Sequence, residues 1–465
     1  MQPRTIAICG NGASAALLLL ALARFCDRPV NVIVIGTGET CGAGVAYSTT
    51  NPNHLLNVPA SRMSADLLAP RQFQDWLARE GLPTPDFAGQ FVSRSLYGKY
   101  LEQILEDLPA REGLKVRFVQ SEVRDLTREK TGWRVHFGDE RVAADLVVLA
   151  TGNDMPSPIA PLYPDAGHGI IDIPWGPLPV APHENVLVLG TGLTAIDVVV
   201  SLLDGGHQGQ IHLLSRRGLC PARHEQPSSA TALARPFPST ARGMARAMRE
   251  KMGRSPKPSD WQAFMDAMRP HWAEIWQQFP LQEKQRFLRH GMAYWSIHRH
   301  RIAPNMADRF EEGIFRNVLV LKGRLARLAS RGEALDATID FAGERHVIGM
   351  DRVINCTGPN SDPRKGNFPL IANLIAAGHA RSGTANLGLD IDAKCRVMDA
   401  TGAAQPDLFA MGALTRGRWW EITAIPEISG QATDIAGHLR AQLGVKDAER
   451  RAQDLASGDL AAGRA

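Results

Sequence analysis

Apolar positions along the chain fall into two spacings. Residues 4–9, "RTIAIC", form a β-like run; a glycine turn follows, and "ASAALLLLALA" (13–23) is apolar over helical length. A second β-like run, "VNVIVI" (30–35), comes next. Strand, tight turn, helix and strand predict a βαβ unit. The order recurs from "ENVLVLGTGLTAIDVVVSLL" (184–203) to "QIHLLSRRG" (210–218). Between the two units, residues 116–152 alternate short β-like runs with turns and end in "DLVVLATGN". A similar meander occupies 325–358 and ends in "DRVINCTG". Residues 239–301 change character: they are rich in Trp, Met, Gln and Arg and read as a helical insert. A last block, 407–439, reads as strand, loop and helix, and an Ala-, Arg- and Gly-rich tail closes the chain.

This order predicts an α/β protein with two Rossmann-like dinucleotide-binding domains, β-meanders and a helical insert. The expected boundaries are 1–165 for the first part of an FAD domain and 166–325 for an NAD(P) domain. Residues 326–445 are expected to return to the FAD domain, and 446–465 to form a flexible tail.

Composition narrows the class. The 465 residues are 44% hydrophobic and 22% charged, as in a soluble globular protein of two or three domains. A net charge of +4 with scattered basic residues offers no patch for nucleic acid. Residues 15–23 mimic a signal-peptide core but are too short to span a bilayer, so no membrane role is expected. Six separated cysteines, at 9, 26, 41, 220, 356 and 395, form no CxxC pair. They read as reduced thiols of a cytoplasmic protein and exclude a dithiol reductase and a zinc site. His298 to Arg301, "HRHR", lack a carboxylate cluster and face different sides of a helix, so no metal is expected. Arg299 and Arg301 read as anion or nicotinamide-phosphate ligands, or as a solvated basic stretch.

In the first unit Gly10 permits the tight turn and Gly12 admits a pyrophosphate. Ser14 opens the helix, and Ala15 lets that helix pack against the strand. The pyrophosphate is expected over the helix N-terminus, where free N–H groups favour negative charge. Gly190, Gly192, Thr194 and Ala195 repeat the pattern. Ser215, Arg216 and Arg217 end the second unit's next strand with no acid, which suits the 2′-phosphate of NADPH or leaves a solvated arginine pair. The first unit lacks its acid too: the strand ends on Gly36. Either Glu39 folds back to the ribose, or water fills the gap. Gly152 and Gly358, in the two ATG-like segments, are expected beside the bound dinucleotides.

The segments "GAGVAYSTTNPNHLLNVPASRMSA", "FVSRSLYGKYL", "GTGLTAIDVVVSL", "SRRGLCPARH", "IHRHRIAP" and "GALTRGRWWEITAIPEISGQA" resemble a bacterial FAD/NAD(P)-binding family. That family includes FAD-dependent urate hydroxylase and the nitrosuccinate-forming aspartate N-hydroxylase. The resemblance runs from about residue 5 to 439. Two positions depart from common flavoprotein pattern: Gly36, and Ala413 after Gly412, where Gly-Asp is usual.

The resemblance implies an enzyme that uses FAD, NAD(P)H and O2 to hydroxylate a small anionic substrate. Urate, giving 5-hydroxyisourate, is the first expectation. An aspartate-like amino-acid N-hydroxylase is the alternative. An NAD(P)H oxidase or reductase, or a nucleotide-binding sensor, completes the range. Asn57 then reads as a flavin ligand or as a turn former before Pro59. Arg62 is a candidate for a substrate anion or the pyrophosphate. Arg94 and Tyr97 line the pocket or form an ordinary helix face. Gly412, Arg418, Trp419 and Glu421 pass the flavin, or the tryptophans serve packing.

Overall fold

A computed structural model describes residues 3–25, 29–82, 90–106, 108, 114–225 and 232–462, with side chains as far as 443. Cys26 lies outside the described residues. The strands are β1 (Arg4–Cys9), β2 (Val30–Gly36), β3 (Leu114–Gln120), β4 (Val123–Arg128), β5 (Trp133–Phe137), β6 (Glu140–Ala144) and β7 (Leu146–Leu149). Next come β8 (Ile170–Ile171), β9 (Val186–Leu189), β10 (Ile211–Ser215), β11 (Val318–Lys322), β12 (Arg324–Arg331), β13 (Ala334–Phe341) and β14 (Glu344–Met350). β15 (Arg352–Asn355), β16 (Arg396–Met398) and β17 (Ala404–Ala410) complete them. The helices outside the insert are α1 (Ala13–Phe25), α2 (Gly44–Tyr47), α3 (Gln72–Arg79), α4 (Arg94–Glu106) and α5 (Leu193–Asp204). The insert holds α6 (Ala241–Met252), α7 (Pro258–Met268), α8 (Trp272–Gln278), α9 (Leu281–Arg286) and α10 (Met292–Arg299). Then follow α11 (Pro304–Arg316), α12 (Pro369–Ala376) and α13 (Ile425–Ala462).

Two sheets carry the architecture. The first runs β16-β17-β7-β1-β2-β3, with only β16 antiparallel, and the second runs β11-β10-β9-β15-β8, all parallel. Central strands buried on both faces need unbroken apolar runs, and "VLVL" in β9 and "LVVL" in β7 are wholly buried. The meanders β4-β5-β6 and β12-β13-β14 are antiparallel. Their strands alternate instead: in β5, Trp133, Val135 and Phe137 are buried, with Arg134 and His136 between them. The apolar stretch at 13–23 is a buried helix, α1, packed against α13. Among the described residues no helix is long and apolar enough to cross a membrane.

One boundary differs from expectation. The second meander is a sheet of its own whose Leu328, Leu335 and Ile339 pack with Leu187, Leu189 and Leu214 of the second sheet, and β15 joins that sheet, so the chain returns to the first sheet after Asn355 and not at 326. The last helix, α13, runs as far as Ala462.

Several polar contacts hold the two units together along α5. Arg94 Nη1 and Nη2 donate to the two carboxylate oxygens of Asp197 at 2.6 and 3.1 Å, and its Nε donates to the Leu55 carbonyl at 3.1 Å. Asn51 and Asn53 each donate to Asp204 Oδ2, and His54 Nε2 lies 3.0 Å from the Asp197 carbonyl and 2.9 Å from Ser201 Oγ.

Candidate functional site

The first glycine turn is set by its neighbour strand. A Cβ on Gly10, whose φ is 119°, would lie 2.2 Å from the Ala150 carbonyl oxygen, just beyond β7. The second unit repeats this closely: a Cβ on Gly190, φ 121°, would lie 2.2 Å from the Cys356 carbonyl oxygen, just beyond β15. Each turn is therefore glycine because the backbone entering the ATG-like segment occupies the side-chain space. Ala15 and Ala195 are fully buried, so each helix sits tight on its sheet. Gly192 has nothing within 4 Å of an added Cβ, and neither do Gly152 and Gly358, both at positive φ. These positions leave the backbone bare on the side where a dinucleotide would lie. Ser14 is nearly buried, and its Oγ would lie 2.9 Å from a Cβ on Gly412, so the first turn meets the third block.

The missing acid at the end of β2 has a local cause. Asn11, the middle residue of the first turn, places its side chain over Gly36. A Cβ there would lie 2.3 Å from Asn11 Oδ1, 2.5 Å from its Cγ and 2.7 Å from its backbone nitrogen. Asn11 Nδ2 donates to the carbonyls of Gly38 (2.7 Å) and Thr40 (2.9 Å), and its Oδ1 accepts from the Gly38 N–H. Its carbonyl also accepts from Gly42 N–H at 2.9 Å. Asn11 thus pins the loop after β2 to the glycine turn. Glu39 sits exposed in that pinned loop, between the two carbonyls that Asn11 holds.

At the second turn the structure gathers positive charge. Arg216, Arg217, Leu219, Tyr294 and Lys322 line one open cleft. Arg217 stacks over the Tyr294 ring at 4.8 Å and donates to the Arg289 carbonyl at 3.3 Å. Lys322 arrives because β11 lies beside β10, pairing with Ser215 in register. Tyr294 comes from α10 in the insert. Neither was legible in the sequence, since both are about 80–100 residues away along the chain. The Ser215 hydroxyl is turned inward: it accepts from Thr191 Oγ1 at 3.1 Å and from Gly218 N–H at 3.0 Å. Those two bonds shape the turn. Thr194 is half-buried in the first turn of α5.

A cavity forms where the three blocks meet. Gly152, Asn153 and Asp154 come from the first ATG-like segment, Pro359, Asn360 and Ser361 from the second, and Ala413, Leu414 and Arg416 from the third block. The turn at 412–415 is fixed by buried polar bonds. Gly412 N–H donates to Gln431 Oε1 at 2.7 Å, Gln431 Nε2 to Thr415 Oγ1 at 3.0 Å, and Thr415 Oγ1 to the Gly412 carbonyl at 2.8 Å.

The remaining candidates separate into two groups. The Asn57 backbone meets the segment before the insert, and Arg62 meets the insert itself. The Asn57 carbonyl accepts from His224 Nε2 at 3.0 Å, and Arg62 lies 3.9 Å from Asp266. His224 Nδ1 accepts from Arg301 Nε at 3.4 Å, which requires a neutral ring. Burial and the Arg301 charge push the His224 pKa down to about 4, which agrees. Arg94 and Tyr97 belong elsewhere. Arg94 is committed to Asp197, and Tyr97 is wholly buried, its ring 4.8 Å from Tyr47 and 5.0 Å from Phe73. The expectation that they line the pocket is corrected: one joins the two units and the other fills a core.

The tryptophan pair also divides. Trp419 is half-buried against the first core, with Arg418 over its ring at 5.3 Å. Trp420 belongs to the insert's aromatic cluster, stacked on Trp276 at 4.6 Å and close to Trp295 and Phe287. Glu421 is buried and takes Arg299 Nε at 2.7 Å on Oε2, while its Oε1 has no hydrogen-bond partner. Burial raises its pKa against the opposing pull of Arg299. Arg299 pairs with Glu421, and Arg301 with Asp266 at 2.8 Å, so neither is the free anion ligand expected from "HRHR".

Residues 7–154 match a family model described as FAD-NAD(P)-binding. No curated protein matches the chain in sequence. Among solved structures, the ornithine N-hydroxylase of Kutzneria sp. 744, with reduced FAD, NADP+ and L-ornithine, is 14% identical with a TM-score of 0.64. The alignment covers 95% of this chain and 100% of that one. The FAD-bound cadaverine monooxygenase of Erwinia amylovora is 13% identical, with a TM-score of 0.64 and 94% of each chain covered. The L-lysine 6-monooxygenase of Pseudomonas syringae is 16% identical, with a TM-score of 0.61, covering 95% and 99%. These likenesses establish the fold of a two-domain FAD/NAD(P)-binding flavoprotein across the described chain.

Proposed function

We propose that the protein is an FAD-, NADPH- and O2-dependent monooxygenase that N-hydroxylates the amine of a small amino acid. The observation that carries the reading is the convergence of both ATG-like segments, one from each sheet, on a single cavity. Such a site suits electron transfer between two dinucleotides and a substrate held between them. Three of the similar structures are named for the hydroxylation of ornithine, cadaverine and lysine. The expectation of urate therefore gives way to the amino-acid alternative.

The residues fit the cofactors. Gly10, Gly12, Ser14 and the α1 N-terminus would take the FAD pyrophosphate, with the loop pinned by Asn11 beside the ribose. Gly190, Gly192, Thr194 and the α5 N-terminus would take the second pyrophosphate. Arg216, Arg217 and Lys322 would hold a 2′-phosphate, and Tyr294 offers a flat face to the adenine. When bound, FAD and NADPH supply the hydride and oxygen chemistry; the protein supplies placement and exclusion of water. Gly152 keeps its part of the cavity wall bare of a side chain, and Gly358 immediately precedes the lining residue Pro359.

The reading is tested by NADPH oxidation with a panel of amines, measured with hydrogen peroxide and hydroxylamine product. One amino acid should accelerate NADPH loss and yield hydroxylamine with little peroxide. Equal peroxide release with every amine, or urate-dependent NADPH loss with decay of urate absorbance, would overturn it. A second expectation concerns the nicotinamide cofactor. Arg217→Ala and Lys322→Ala should each weaken NADPH binding by about tenfold, as expected for losing one charged hydrogen-bond donor, with NADH unaffected. Equal weakening of NADH would remove the phosphate role from this cleft.

A further inference from the structure

Asp154 lines the cavity, held by Asn360 and Asn367, and a separate group of arginines shares three further carboxylates. Arg301 and Arg62 share Asp266, Arg299 holds Glu421, and Glu427 takes Arg269 in two bonds of 2.6 and 2.8 Å. Arg416 is left over, as is Arg418, whose Nε is likewise buried without a partner; of the two, only Arg416 lines the cavity. Among the described residues its guanidinium forms no ion pair and no hydrogen bond, and its Nε is buried without a partner. Glu421 is the opposite charge that acts on it; Arg299 takes Oε2 of that carboxylate, and its Oε1 makes no hydrogen bond to Arg416 or to any other described residue.

The Arg416 guanidinium also rests on an aromatic ring. It lies 4.5 Å over the ring of Trp420, which is itself stacked on Trp276 in the insert core. Stacking covers one face of the guanidinium and leaves its in-plane N–H donors free. A charge removed from water without a partner is costly, and a bidentate carboxylate is its best complement. Arg416 lines the cavity beside Gly152, Pro359 and Ala413. It is thus stacked, unpaired and placed at the junction of all three blocks.

We infer that Arg416 anchors a carboxylate of the substrate in this cavity, through the in-plane donors that Trp420 leaves exposed. The inference rests on the proposed function and deepens it: it assigns the side chain that holds the amino acid's carboxylate. The same guanidinium chemistry would suit a dinucleotide phosphate, so the experiment must separate the two.

The test uses the full-length, FAD-loaded protein and succinate, a dicarboxylate with no amine to oxidise. Succinate binding is read as a perturbation of the flavin spectrum, and NADP+ binding and FAD content are measured alongside. Arg416→Gln should weaken succinate by about tenfold or more. Arg416→Lys, which keeps the charge but loses the planar fork, should recover only part. NADP+ affinity and FAD content should stay within about twofold, since the anchor serves the substrate. Thermal midpoints of both variants check that each is folded; were Arg416→Gln unfolded, the wild-type-to-lysine difference alone would decide. Unchanged succinate binding, absence of succinate binding to the wild type, or parallel loss of NADP+ or FAD would each overturn the inference. Hydroxylamine formation is assayed separately. Its absence with every amine would sink the monooxygenase reading and leave the succinate result standing, and its presence without dependence on Arg416 would do the reverse.

Discussion

Gly36→Asp, which restores the acid that usually closes a nucleotide-binding strand, should cost the protein its FAD. Pattern logic says the opposite: a carboxylate there holds the ribose and should tighten the cofactor. The space is taken, however. A Cβ at position 36 would lie 2.3–2.7 Å from three atoms of Asn11, one of them the backbone nitrogen of the glycine turn itself. The new side chain must push the turn, the loop after β2, or both, out of place. Overpacking of this kind costs about 1–3 kcal/mol, and here it falls on the backbone that would cradle the pyrophosphate. FAD affinity should drop by about tenfold to a hundredfold, read as the flavin-to-protein absorbance ratio after gel filtration and by titration of the apoprotein. Asn11→Ala combined with Gly36→Asp removes the two side-chain contacts but leaves the backbone nitrogen, so it should recover FAD in part. Asn11→Ala alone should also weaken FAD, because the loop loses its three side-chain hydrogen bonds. A Gly36→Asp protein that retains as much FAD as wild type would disprove this account of the missing acid.

Arg94→Ala should give the largest loss of stability among the candidate residues. Arg94 reaches from α4 to α5 and ties the first unit to the second, with side-chain exposure of 20% for Arg94 and 11% for Asp197. Removing one partner of such a sheltered pair leaves Asp197 uncompensated and costs about 3 kcal/mol. The Leu55 carbonyl loses its donor at the same time. The thermal midpoint should fall by roughly 3 °C. The more telling readout is the rate at which NADPH reduces FAD before steady state, because Arg94 and Asp197 hold one dinucleotide unit against the other. That rate should fall even where both cofactors still bind. Arg94→Lys keeps the charge without the two-pronged geometry and should lie between the two. If Arg94→Ala melts within about 1 °C of wild type, the clasp has no energetic weight, the measured value of many exposed pairs.

These two residues also mark where reading along the chain succeeds and where it stops. Both glycine turns, both helices behind them and both ATG-like segments are local patterns, and each lies where the sequence placed it. The relation between turn and segment was visible only as a repeat. Space explains it: the Ala150 and Cys356 carbonyls fill the side-chain positions of Gly10 and Gly190. Arg94 and Tyr97 carried the right chemistry for a pocket, but α4 turns them toward α5 and an aromatic core. Trp419 and Trp420 are adjacent and identical, yet the chain sends one to each side. Lys322 and Tyr294 join Arg217 from distant elements, and nothing in their own surroundings in the sequence announced it.

Taken alone, the sequence determined the alternation of strand and helix, the two turns and the class of ligand they suit. Those properties depend on residues within a few positions of one another, where backbone sterics and apolar spacing act. Tertiary structure decided which charges are spent and which are left over. Asn11 against Gly36, Arg94 on Asp197, and Arg416 without a carboxylate all depend on atoms brought together from separate segments. Hydrogen bonding and charge pairing act over a few ångströms of space, whatever the separation along the chain.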